Sequence, residues 1–143
     1  MSKPPALSRV MTSRQLAQWC AWLADNRKAE KIVILDVSKL SSVTDFFVIA
    51  SGGSEPHLRA ICSEITDNLH DDLGVRPNGI DGSTQTAWMA LDYFDVIVHI
   101  MKPEARELYD LEGLWRDAPR VTPRKPVAVK RKTADADAAG EPA

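Results

Sequence analysis

Cysteine, histidine and aromatics are scarce in this chain: two Cys, three His, three Phe, four Trp and two Tyr among 143 residues. Two cysteines cannot build the dense disulfide framework of a small secreted domain, and no metal-ligand spacing occurs, so a reducing, cytoplasmic setting is expected. Cys20 and Cys62 each stand among apolar neighbours and read as small buried hydrophobes. No apolar run approaches the ~18 residues that a membrane-spanning helix requires. The opening stretch MSKPPALSRVMTSRQ contains no continuous apolar core of a secretory signal. There is no Gly-x-Ser-x-Gly elbow and no Cys–His arrangement with an orienting acid. His57 and His70, at the two ends of one expected helix, read as helix-surface or capping residues. No catalytic residue, metal site or cofactor is therefore assigned, and the chain makes a poor case as an enzyme.

What the chain does have is the composition of an ordinary globular domain, 44% hydrophobic and 27% charged. Its formal charge of −2 is unevenly spread. From Pro119 onward six cations face three acids, so that stretch is +3 and the remainder is −5. An acidic body with a basic tail argues against the body gripping a phosphate backbone and fits a body that meets a basic protein.

Periodicity predicts the elements. Residues 1–11 read as a flexible N-terminal arm. Thr12 or Ser13 can cap a helix to about Lys28, with Leu16, Trp19, Cys20 and Leu23 on one stripe. KIVILDV (31–37) and DFFVIAS (45–51) read as strands, the first covered on both faces. Ser54 caps a second helix ending at Leu73–Gly74, its inward stripe being Leu58, Ile61, Cys62, Ile65 and Leu69. VRPNGIDGS reads as a short edge strand. TAWMALD (86–92) and DVIVHIM (95–101) read as an antiparallel hairpin, and one or two short helices follow between Pro103 and Trp115. The order αββαβββα predicts an α/β (α+β) fold: a mixed sheet of about five strands with helices packed over it, spanning 12–117. Residues 118–143, rich in Pro, Ala and basic side chains, read as a disordered tail.

With Tyr93 and Phe94 as the turn, Trp88 faces His99, Ala90 faces Ile97 and Asp92 faces Asp95. Ala87, Met89, Leu91, Val96, Val98 and Ile100 then form an apolar core face. The opposite face carries Trp88, Ala90, Ile97, His99 and Met101. It reads either as a contact patch or as a face covered by the chain's own helix. Opposed acids at 92 and 95 admit a bound metal, a basic partner or plain solvation. SGGSEPH resembles the glycine-serine turn that holds a triphosphate in nucleotidyltransferase folds, which leaves a second reading: such an enzyme using Ser51 to Ser54 with Asp92 and Asp95. The magnesium-holding pair one residue apart on a strand is missing, however.

Three segments in order, LDVSKLSSVTDFFVIASGGSEPHLRAI, ALDYFDVIVHIM and PEARELYDLEGLW, resemble the ribosomal silencing factor (RsfS), or Iojap-like, family. The resemblance implies a nucleotidyltransferase-like fold without catalysis. It implies binding to the large ribosomal subunit through ribosomal protein fourteen, blockage of small-subunit joining, translation repression when nutrients are scarce, and homodimers when free. It places Trp88 at the contact and Asp92, Asp95, His99, Glu104, Arg106 and Tyr109 at motif positions on or after the hairpin. Partner-binding residues are thus expected at Trp88, Asp92, Asp95, Ile97, His99, Met101, Arg106 and Tyr109. Phe94 stands where many relatives have glycine, so a wider turn or one of another type would move this register by one step. The basic tail falls outside the family core and could brush ribosomal RNA.

Overall fold

The computed structural model describes residues 11–126. Helix α1 (Ser13–Asn26) starts where expected: the Thr12 hydroxyl accepts from Gln15 N–H, and the Gln15 side chain accepts from Thr12 N–H in return. Leu16, Cys20 and Leu23 are buried, with Trp19 packed at their margin. Helix α2 (Glu55–Leu73) is capped by Ser54 and closed by Gly74 at φ +68°, a left-handed conformation that suits glycine. Its stripe of Leu58, Ile61, Ile65 and Leu69 is fully buried, while Cys62 is only partly so.

Among the described residues six strands form one mixed sheet: β1 (Glu30–Asp36), β2 (Phe46–Ser51), β3 (Gly79–Ser83), β4 (Trp88–Asp92), β5 (Val96–Met101) and β6 (Arg120–Val121), in the order β3-β4-β5-β2-β1-β6. Only β2 and β5 run parallel, joined by the long crossover through α2. β2 lies at the centre, and all six of its residues are buried. Alternation sends Phe46, Val48 and Ala50 to the face covered by α1 and α2, and Phe47 and Ile49 to the other.

That other face is covered too. Helices α3 (Pro103–Tyr109) and α4 (Leu111–Leu114) fold back over it, so that Leu35, Val37, Phe47, Ile49, Met101, Ala105, Leu111 and Ala118 form a second core. The predicted mixed architecture holds, with the sixth strand unforeseen. β6 pairs with β1, Ile34 opposite Val121 and Leu35 opposite Arg120. The boundary expected at 117–118 therefore falls inside the domain, and packing continues to Arg124, whose N–H donates to the Gln18 amide. Composition hid this, because two residues of strand are too short for a periodic signal. At the other end Met11, assigned to the arm, is buried in the first core. The rest of the expected arm and tail, residues 1–10 and 127–143, lies outside the described residues.

The cover is fastened by one side chain. Arg106 on α3 is buried; its guanidinium donates to both Glu112 carboxylate oxygens at 3.2 and 2.9 Å, to Ser51 Oγ at 2.9 Å and to Glu30 O at 3.5 Å. It thereby joins α3, α4 and the ends of β1 and β2. Arg106→Met leaves Glu112 and Ser51 without their donor, and unfolding in urea is expected to show a loss of about 2–3 kcal/mol. Amide exchange should speed up first in residues 103–115.

Candidate functional site

The hairpin is built around a turn one residue later than expected. Tyr93 N–H donates to Val96 O and Asp95 N–H donates to Tyr93 O, each at 2.8 Å, with Phe94 at φ +69°. This is a tight three-residue turn inside the hairpin loop. The Asp92 carboxylate accepts from Phe94 N–H at 2.8 Å, which holds a bulky residue in a left-handed conformation. Trp88 consequently pairs with Met101, Ala90 with His99 and Asp92 with Ile97. The predicted register is corrected by two residues. A shift of two preserves which face each strand residue occupies, so the division into a core face and a mixed face survives. Ala87 is the exception: at φ +68° it precedes the strand and packs against the second core.

Asp92 and Asp95 do not oppose each other. Asp92 serves the turn, and the Asp95 carbonyl accepts from Asp45 N–H and Phe46 N–H at 2.9 and 3.0 Å, tying the turn to the start of β2. Among the described residues no group of three or more His, Cys, Asp or Glu side chains is placed to hold a metal ion.

On the mixed face the aromatic side chains form a continuous chain. The Trp88 ring lies 4.8 Å from Tyr109 and 5.8 Å from His99; His99 stands edge-on to Phe47 at 5.1 Å, and Phe47 to Trp115 at 5.3 Å. Trp88 Nε1–H donates to His99 Nδ1 at 3.1 Å. This bond requires Nδ1 to be unprotonated, which places the neutral ring's proton on Nε2. Burial agrees, pushing the His99 pKa down to about 4.

The expected contact residues thus separate into two kinds. His99, Met101 and Arg106 are buried and Ile97 is partly so: they support the face from beneath and are not presented by it. Trp88 is half-buried, and Tyr109 is 53% exposed. The cover also turns two leucines outward, Leu108 at 75% and Leu114 at 74% exposure. Neither was anticipated. The signal was in ARELYDLEGL, where the inward positions Ala105 and Leu111 leave Leu108 and Leu114 on the outer side. Glu104 and Glu107, also exposed, lie on the same short helix.

The nucleotidyltransferase-like reading finds its parts separated. Ser51 pairs with Met101 at one end of β5, whereas Asp92 and Asp95 flank the other end, five residues or roughly 17 Å away along the strand. The turn is also engaged: Ser51 Oγ accepts from Arg106, Gly53 N–H donates to His57 Nδ1 and Ser54 caps α2. His57 completes a bridge with Nε2 at 2.7 Å from Arg27 O, a structural role.

His99 also sets a pH dependence. Its folded pKa is depressed below the ordinary 6.5, so the unfolded chain binds the proton first and stability falls as pH drops from about 6.5 to about 4. Unfolding midpoints measured across that window should show a loss approaching about 3 kcal/mol. His99→Phe should flatten that limb.

The family described as RsfS, ribosomal silencing factor during starvation, matches residues 10–143, so the match takes in the basic C-terminal stretch as well as the three motifs. The chain is 35% identical over 111 residues to the ribosomal silencing factor RsfS of Halalkalibacterium halodurans, covering 78% of this chain and 94% of that one. It is 33% identical over 96 residues to the mouse mitochondrial assembly of ribosomal large subunit protein, covering 65% of this chain and 42% of the mouse protein. A crystal structure from Chromobacterium violaceum superposes with a TM-score of 0.70 at 26% identity, covering 89% of this chain and 98% of that one. A Bacillus halodurans structure gives 0.65 at 33% identity, covering 76% and 98%. The chain belongs to the ribosomal silencing factor family.

Proposed function

We propose that this protein is a non-enzymatic, cytoplasmic translation repressor that binds the large ribosomal subunit and sterically prevents the small subunit from joining. In this reading the contact is ribosomal protein fourteen, repression is deployed when nutrients are limiting, and the free protein is a homodimer. These particulars come from the family resemblance. The observation that carries the reading is the Trp88–Tyr109 aromatic pair on a cover whose two helices also expose Leu108 and Leu114 and the acidic Glu104 and Glu107. An aromatic and aliphatic centre with a charged margin is the usual anatomy of a protein interface. The acidic margin suits a basic partner, and residues 11–126 as a whole carry thirteen Lys and Arg against seventeen Asp and Glu.

Asp92 and Asp95 act in this reading by fixing the turn. Ile97, His99, Met101 and Arg106 act by holding Trp88 and the cover in place. A tryptophan at the centre of an interface commonly carries 2 kcal/mol or more, so Trp88→Ala should weaken co-sedimentation with purified large subunits by about 30-fold. Tyr109→Ala and Leu108→Glu, at exposed positions where folding is little disturbed, should weaken it as well. Inhibition of subunit joining should decline in parallel. Unchanged co-sedimentation and unchanged inhibition in all three variants, with melting curves confirming folded protein, would remove the proposal. Light scattering should show a mass that rises with concentration toward the dimer, and Tyr109→Ala should lower it if partner and second copy share the face.

A further inference from the structure

Beyond β6 the chain passes alongside α1 without regular secondary structure, and one buried side chain holds it there. Gln18 is 8% exposed and uses both ends of its amide: Nε2–H donates to Thr122 O at 3.0 Å, and Oε1 accepts from Arg124 N–H at 2.8 Å. A side-chain amide that supplies one donor and one acceptor to the same segment takes the place of a neighbouring strand. The backbone that carries Arg124 and Lys125 is thereby fixed.

Arg124 and Lys125 line two neighbouring clefts. One, of about 370 Å³, also has Trp22, Asp25 and Lys31 in its wall; the other, of about 300 Å³, has Arg14, Gln15 and Gln18. Lys125 Nζ sits 5.8 Å over the Trp22 ring. Arg14 is engaged with Asp36 at 3.7 Å and lies over the Phe46 ring. Among the described residues neither Arg124 nor Lys125 forms an ion pair, on a body that is otherwise acidic. Five to seven residues further on, the sequence adds Lys130, Arg131 and Lys132.

This edge lies far from the aromatic face. Trp88 is on β4, four strands away from β6 in the sheet, which is about 19 Å across. It is also on the opposite side of the sheet: Trp88 packs with the second core, whereas α1 packs on the first.

We propose that the α1–β6 edge, with Arg124 and Lys125 at its centre, contacts the phosphate backbone of RNA. Two cations without an ion-pair partner among the described residues, on a clamped backbone, match what a phosphate chain requires. The inference rests on the proposed ribosomal role for its choice of RNA over other polyanions. It gives the molecule two separate points of attachment, one to protein and one to RNA.

The test is fluorescence anisotropy of a labelled RNA stem–loop with the full chain, at several salt concentrations. The paired substitution Arg124→Glu and Lys125→Glu should lower RNA affinity about tenfold at low salt and make the log–log salt slope shallower by about 1.5. Replacing Lys130, Arg131 and Lys132 by Ala should weaken binding less than the pair does. Trp88→Ala should leave RNA affinity as it is. Wild-type RNA affinity in a folded Arg124/Lys125 variant, or dependence on the 130–132 cluster alone, overturns the proposal. So does binding to vesicles of anionic phospholipid without binding to RNA. If the Arg124/Lys125 pair governs RNA binding while Trp88→Ala leaves co-sedimentation with large subunits intact, the aromatic-face proposal fails and this one stands.

Discussion

The face assigned to partner binding depends on a buried guanidinium. Without Arg106 the mixed side of the hairpin would be a strip of Ile97, His99 and Met101 open to water. With it, α3 and α4 are held over that strip, Met101 is fully buried, and Tyr109 is brought onto Trp88. Burying a charged group is costly unless its donors are matched. Here Glu112 supplies the countercharge and Ser51 and the Glu30 carbonyl take donors from one guanidinium nitrogen. Glu112 registers the same bond: the Arg106 hydrogen bond holds its carboxyl below the usual range. Because these acceptors belong to β1, β2 and α4, the cover is fastened to the sheet at its end and cannot slide independently of it.

The arrangement explains why histidine and methionine stand on a strand face in the company of tryptophan. His99 gives Trp88 a hydrogen-bond acceptor that an aliphatic residue could not offer, and burial keeps it neutral so that the acceptor persists at physiological pH. The tryptophan is then fixed at both its polar and its apolar edges before any partner arrives. A pre-ordered aromatic side chain loses less conformational freedom on binding, which favours affinity.

Much of the fold was legible in the sequence, and the reasons are specific. Thr12, Ser54 and Gly74 act through local chemistry and marked their helix ends correctly. The period-two pattern of VIVHIM assigned each side chain to its face, and that assignment survived a register error of two residues. The error itself came from Phe94. A turn with positive φ was expected to use glycine, and the Asp92 carboxylate that makes phenylalanine tolerable there is a side-chain contact no pattern reveals. What covers a face is equally unreadable from spacing. His99 and Met101 looked like contact residues because nothing in PEARELYDLEGLW says that Arg106 reaches Ser51, fifty-five positions earlier in the chain. β6 and the Gln18 clamp were missed for the same reason, since their partners lie more than eighty residues apart in the chain.

In the proposed reading, the surface made by the hairpin and its Arg106-fastened cover is the part of this molecule that meets its protein partner. Hydrogen exchange of the full chain with and without purified large ribosomal subunits tests it most directly. New protection should be concentrated in residues 84–92 and 103–115, with the outer face of α2 unchanged. Protection confined to α2 or to the β1–β2 loop, with the hairpin and cover exchanging as in the free protein, would contradict it.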